Sequence, residues 1–439
     1  MEWPGSLDEY EKLVNRINTP RVVIDNAVCA TATLVKVDSA RKRGFLLEAI
    51  QVLTDLKLSI NKAYMSSDGR WFMDVFHVTD QFGYKLTDES VISHIEKSLA
   101  ATSPTRSGSF SDGLTALELT GTDRLGLLSE VFAVLSDLRC NVVEGKVWTH
   151  NGRIASLIAV DPIENSQTIN IIETRLQNLL QGQNDIRSAK LAISSLMTVT
   201  HAERRLHQMM FEDRDYAHAT STISSGVDEA DCESPPPSVS VQNWVDREYS
   251  IVNIQCRDRP KLLFDIVCTL TDMDYVVFHG TIDTVGDQAR QEFYIRHADN
   301  TPISSEAERQ RVIQCLQASI ERRSSEGIRL ELCMPDGHGL LSNVTRTFRE
   351  NSLYISRADI STEGNIASNV FYVTDAAGRL ADQKTIESVR EKVGTSCLKV
   401  NYTHPSTCTN KPSFEKPSTY NKFSIGGLVS YLGLIRSCS

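Results

Sequence analysis

The 439-residue chain contains no apolar run of the roughly 18 residues that a membrane-spanning helix needs. The nearest approach, Phe423–Ile435, is shorter and holds the pair Gly426-Gly427. It reads as a docked terminus, with an interfacial or partner-binding tail as the alternative. The opening Met1-Glu2-Trp3-Pro4 carries no apolar signal-peptide core, so the cytoplasm is the default location and nuclear entry stays open. Positive charge is also short: 46 Lys and Arg stand against 56 Asp and Glu, for a net charge of −10. An acidic surface without a basic stripe disfavours nucleic acid. None of the ten cysteines makes a C-x-x-C pair, which argues against a zinc site or a disulfide framework. The ten histidines are scattered, without metal-ligand spacing.

Catalytic signatures are missing as well. There is no Walker loop, and no G-x-S-x-G elbow. Gly337-x-Gly339 lacks the third glycine of a dinucleotide loop. No Gly-Ser with paired aspartates of a nucleotidyltransferase occurs, and no His-Asp hydrolase dyad. The expectation is a protein without catalytic residues, metal or cofactor. Its 41% hydrophobic and 23% charged residues are ordinary for globular domains, and its length allows about three.

What is present is a repeat. Gly44-Phe45-Leu46-Leu47, Leu125-Gly126-Leu127-Leu128, Pro260-Lys261-Leu262-Leu263 and His338-Gly339-Leu340-Leu341 share a pattern. Leu46, Leu127, Leu262 and Leu340 follow one another at intervals of 81, 135 and 78. The long interval marks an insertion. Turn glycines Gly69, Gly152, Gly286 and Gly364 recur 23 to 25 residues after these leucines. Asp80, Asp161, Asp299 and Asp375 recur after 34 to 37.

Each unit reads as a β-α-β-β-α succession. Thr115–Leu119 alternates like a half-buried strand. Leu127, Leu128, Val131, Phe132, Leu135 and Leu138 form a helical stripe. Asn151-Gly152 marks a hairpin. A final strand follows in unit two (Leu191–Met197) and unit four (Leu398–Tyr402). Units one and three instead have an extra run upstream, Val22–Ile24 and Val239–Val241. We expect those runs to fill the vacant edge position. The predicted fold class is α+β: four tandem ferredoxin-like βαββαβ domains in two pairs, the sequence duplication grouping units one and two against three and four. The boundaries are 20–100, 113–200, 238–325 and 327–405, with a flexible linker at 203–237 and a tail at 406–439.

The turn before the first helix carries the candidate chemistry. It is Asp123-Arg124-Leu125-Gly126-Leu127-Leu128 in unit two, Asp258-Arg259-Pro260-Lys261 in unit three and Asp336-Gly337-His338-Gly339 in unit four. Four such turns in this context resemble ACT regulatory domains. Their order, with the helix Leu206–Phe211 in the insertion, resembles the plant ACT-domain repeat family and the ACT domains of bacterial uridylyltransferase. The resemblance implies a small ligand, an amino acid, held at these turns and at domain interfaces. It also implies an asparagine opening the second strand. That position is Asn141 in unit two, but Ser59, Tyr275 and Leu353 elsewhere. Unit two therefore ranks first, while Phe45 and Lys261 weaken units one and three.

Physically, a helix N-terminus suits a carboxylate, and Asp or Asn side chains suit an ammonium group. The plain alternative is that Asp123 and Asp258 cap helices and Gly126 only permits a tight turn. Two functions from different classes follow. One is an amino-acid sensor. The other is an interaction scaffold with vestigial pockets, pairing with a protein partner or a second copy through its sheets.

Overall fold

A computed structural model describes residues 20–40, 44–67, 71–100, 113–163, 165–180, 189–195, 201–218, 237–244, 247–324 and 327–401. The tail and the Asp68-Gly69 turn lie outside them. Unit one comprises β1 (Arg21–Asp25), β2 (Thr33–Ala40), α1 (Phe45–Asp55), β3 (Ser59–Ser67), β4 (Trp71–Thr79) and α2 (Glu89–Ala100). Unit two has β5 (Thr115–Thr122), α3 (Leu127–Asp137), β6 (Val142–His150), β7 (Arg153–Val160), α4 (Ser166–Leu180) and β8 (Lys190–Ser195). A connecting helix α5 (Ala202–Glu212) leads to unit three: β9 (Ser238–Trp244), β10 (Tyr249–Arg257), α6 (Leu262–Asp272), β11 (Tyr275–Val285), β12 (Gln288–His297) and α7 (Glu306–Glu321). Unit four has β13 (Ile328–Pro335), α8 (Leu340–Glu350), β14 (Leu353–Glu363), β15 (Ile366–Asp375), α9 (Gln383–Val393) and β16 (Leu398–Asn401).

The alternation seen in the sequence sets these strands. In β2, Val35 and Val37 turn into the core while their neighbours do not. Asn151 and Gly152 both take positive φ, at 48° and 70°, as a two-residue hairpin joining β6 and β7 requires. β1 lies antiparallel on β2 and β9 on β10, at the edge where β8 lies on β5 and β16 on β13. Val22 and Ile24 pack on the core. Removing residues 20–26 should cost about 2–4 kcal/mol, from two half-buried aliphatic side chains and a bared ladder edge. Unchanged thermal unfolding of the truncated chain would refute this.

The pairing of units differs from the order of the duplication. One eight-stranded sheet runs β1-β2-β4-β3-β11-β12-β10-β9, joining units one and three. The other runs β16-β13-β15-β14-β6-β7-β5-β8, joining units four and two. The joins are short ladders, His279↔Ser66 to Asp283↔Lys62 and Arg357↔Trp148 to Ser361↔Glu144. Helices α1, α2, α6 and α7 build one core on the first sheet, and α3, α4, α8 and α9 another on the second.

The helix expected at the start of the 203–237 insertion is present as α5, and it is packed against the fold. Leu206, Met209 and Met210 of α5 form an i, i+3, i+4 stripe. They bury themselves against Ala116, Trp148, Leu157 and Ala159, on the helix-free face of the second sheet. Arg205 grips the Glu118 carboxylate at 2.8 and 2.7 Å. Beyond α5, Tyr216 packs on Cys315 and Ala318 of α7. The connector is thus the filling between the second sheet and the helices of unit three. Residues 219–236 lie outside the described part.

Candidate functional site

In every unit a left-handed residue opens the first helix: Gly44 (φ 84°), Gly126 (85°), Lys261 (68°) and Gly339 (77°). In units one, two and four the turn faces the neighbouring unit of the same sheet. None of these residues caps the helix through a side chain. Asp123 and Asp258 accept from the backbone N–H of the next residue, at 2.8 and 2.9 Å. The turn is tied to the hairpin by backbone bonds from Asp123 to Gly152, Asp258 to Asp287 and Asp336 to Asn365, at 2.7–2.8 Å.

The four turns meet four different surroundings. The unit-two turn is closed. Its pocket is about 20 Å³, lined by Asp123, Arg124, Gly126 and Leu128 on one side and by Arg349, Leu353 and Tyr354 of unit four on the other. That volume admits about one water molecule. The Tyr354 hydroxyl donates to the Asp123 carboxylate. A Cβ on Gly126 would lie 2.3 Å from Arg349 Cδ, so the arginine stem lies against the bare glycine. Burial lifts the Asp123 carboxyl to about 6, even though Tyr354 and Arg124 favour its ionised form. Arg124 turns away to Glu130, Leu125 is exposed and Leu127 enters the core.

Asn141 does not complete that site. It lies with Ser136 and Arg139 at the end of α3, across from Asp336, Gly337, His338 and Gly339 of unit four. Together they line a cleft of about 250 Å³. Ser136 Oγ and His338 Nε2 approach to 3.5 Å across it. The ranking of unit two joined a turn and an asparagine that belong to different sites. The asparagine faces the partner unit's turn, because the two units sit side by side with their turns facing each other's second strands.

The unit-three turn is already occupied. Lys261 Nζ donates to Glu203 Oε1 of α5 at 2.6 Å, and Arg323 Nη2 lies 3.0 Å from Glu203 Oε2. Burial would raise the Glu203 carboxyl, but Arg323, Lys261 and Lys146 hold it well below its usual range. Arg259 donates to Asp265 at 2.7 Å and to the Ile320 carbonyl at 2.8 Å, capping the end of α7. The Arg259 guanidinium is therefore already engaged within unit three. The unit-one turn, which its sequence had weakened, opens on the largest of these spaces, about 770 Å³ between units one and three.

Residues that sequence reading missed include Tyr354 and Arg349, which close unit two, and Glu203, which fills unit three. Asp74 carried a signal: it is a lone carboxylate inside the apolar run Phe72–Val78. Among the described residues no group of three or more His, Cys, Asp or Glu side chains is placed to hold a metal ion. No helix among them is long and apolar enough to cross a membrane.

Four β-α-β-β-α units with these turns, paired side by side through continuous sheets, define a tandem ACT-domain protein. The family model for the ACR family N-terminal ACT domain matches residues 28–106, and that for the ACR9-like, ACT-like domain matches residues 238–328. The chain belongs to the ACR family of ACT domain-containing proteins. It is 57% identical to the ACT domain-containing protein ACR8 of Arabidopsis thaliana over the whole of both chains. It is 51% identical to ACR4 of the same plant, over 98% of each. A shorter stretch, 18% of this chain and 9% of the other, is 39% identical to the bifunctional uridylyltransferase/uridylyl-removing enzyme of Azospirillum brasilense.

Proposed function

We propose that this chain is a non-catalytic regulatory sensor that binds an amino acid in clefts between paired ACT units. The observation that carries this reading is the shared cleft of units two and four, where Asn141 faces the Asp336–Gly339 turn. The N-terminus of α8 offers backbone N–H groups to a carboxylate. Asp336 and Asn141 offer oxygen acceptors to an ammonium group. A ligand held by both units changes their packing through its different affinity for the two arrangements.

Thermal-shift measurement against the twenty amino acids tests this. Ligand at a hundredfold excess over Kd adds about 2.7 kcal/mol of stability. At least one amino acid should raise the melting temperature. For at least one amino acid, Asn141→Ala and Asp336→Ala should abolish the shift, whereas Asp123→Ala, in the closed unit-two pocket, should keep it. If every amino-acid response survives Asn141→Ala and Asp336→Ala, this site is refuted.

A second reading, an interaction scaffold with vestigial pockets, draws on the closed unit-two turn and the filled unit-three turn. A flat amino-acid panel together with a stable protein partner or homodimer would favour it.

A further inference from the structure

The cleft of units one and three holds a buried carboxyl group that the fold does not require. Asp74 sits on the core side of β4, paired across the sheet with Val37, and is 5% exposed. The same register position is Ser156 in unit two, Gln291 in unit three and Asn369 in unit four. Three units thus meet the polar demand of this position with a neutral side chain, and only unit one uses an ionisable one. Its hydrogen-bond partner is the Ser66 backbone. A buried carboxylate with one such partner is unfavourable for folding.

Asp74 lines the 770 Å³ cleft. Around it stand Phe45, Met65 and Phe72 of unit one, with Val267 and Thr271 of α6 opposite. The Phe45 and Phe72 rings lie 4.7 Å apart, tilted by 36°, and form an apolar wall. Among the described residues, the other charged groups on the lining are Glu248, which is exposed, and Arg296. Arg296 lies over the Phe278 ring at 5.0 Å, and its Nε is buried without a hydrogen bond. The first turn of α1, entered through Gly44, also borders the cleft.

We infer that the unit-one cleft binds a ligand with a protonated primary amine on a large apolar body, the amine meeting Asp74 and the body lying on Phe45 and Phe72. The inference rests on the reading that clefts between paired units take small ligands, and it names the class that this one selects. Two sources share the chemistry. One is an α-amino acid with a leucine-, methionine- or phenylalanine-sized side chain, whose carboxylate also reaches the α1 N-terminus. The other is a simple apolar amine. Burial among apolar groups lifts the Asp74 carboxyl to about 8. In the empty cleft it therefore carries its proton near neutral pH, and the incoming ammonium ion displaces that proton to solvent.

Isothermal titration of the full chain with L-leucine, L-methionine, L-phenylalanine, isopentylamine, phenethylamine and N-acetyl-L-phenylalanine tests this. At least one free amine should bind, with release of a proton that shows as buffer-dependent heat. N-acetylation should weaken binding at least tenfold. Asp74→Asn should do the same and abolish the proton release. Thr271→Phe, which narrows the cleft without touching Asp74, should also weaken binding. Amino acids binding at least tenfold tighter than the matching amines identify the first source, and equal affinities the second. Equal binding of the N-acetyl compound, or affinity unchanged in Asp74→Asn, overturns the inference. A response lost in Asn141→Ala but kept in Asp74→Asn overturns it while leaving the unit-four site standing. Silence across the whole set overturns it too, and a twenty-amino-acid panel that still gives an Asn141-dependent shift then separates the two failures.

Discussion

Arg322→Ala should lower the stability of the chain by about 3–5 kcal/mol, the cost of leaving one member of a buried ion pair without its partner. Arg322 and Asp215 are both buried, joined by bonds of 2.6 and 2.7 Å. Burial alone would raise the Asp215 carboxyl, but Arg322, with help from His150, holds it far below the usual carboxylate range. Without the guanidinium, Asp215 keeps His150 at 3.0 Å and little else. The pair also joins α7 of unit three to the connector that covers the second sheet. Its loss should therefore loosen the two layers from each other. Urea unfolding checks this, and a change below about 1 kcal/mol would refute it.

The same arginine fixes the state of His207. Arg322 Nη1 can only donate, so His207 Nδ1, 3.0 Å away, accepts. His207 Nε2 then carries the hydrogen and donates to Asp265 Oδ1 at 2.7 Å. The ring is neutral, and burial lowers it to about 4 despite Asp265. An unfolded histidine near 6.5 binds the proton more readily. The stabilisation is therefore complete above about pH 6.5 and is lost as pH falls toward 4, about 3 kcal/mol in all. His207→Gln should remove this rise of stability with pH across that window, and a pH dependence equal to that of the unmodified chain would contradict it.

Asp74→Asn should have the opposite sign. The folded carboxyl sits at about 8 against an unfolded value of 3.8. The native state holds the proton over that range and the unfolded state does not. Stability is therefore fullest below pH 3.8 and falls as pH rises to 8. Asparagine keeps the Ser66 hydrogen bond and has no proton to lose. The variant should gain about 4 kcal/mol at pH 7 and almost nothing at pH 4. Denaturant melts at the two pH values measure it, and equal effects at both would refute it. A stabilised variant that no longer binds amines would mark Asp74 as a group kept for function at a cost to the fold.

Within each unit the fold was legible because it follows from local periodicity. Val35 and Val37 alternate, Leu127 to Leu135 repeat at helical spacing, and Asn151-Gly152 turns a hairpin. The pairing of units was not legible. It depends on β3 meeting β11 and β6 meeting β14, through five-residue ladders that no local rule favours over other strand edges. For that reason Asn141 was assigned to the turn of its own unit rather than to the turn it faces. The connector's helix was legible, but its burial was not, because its charges dominate its composition. Arg205 and Glu203 look like a solvated face, yet both pair with partners on other elements. The apolar stripe Leu206, Met209 and Met210 was in the sequence and outweighs them in the fold.

A ligand site built across paired units should be protected on both units at once when its ligand binds. Amide hydrogen exchange on the full chain, with and without an amino acid that raises its melting temperature, tests it most directly. Protection is expected at two places together: residues 337–342 of unit four and residues 139–142 of unit two. Protection confined to residues 123–128, or spread evenly over the chain, would contradict it.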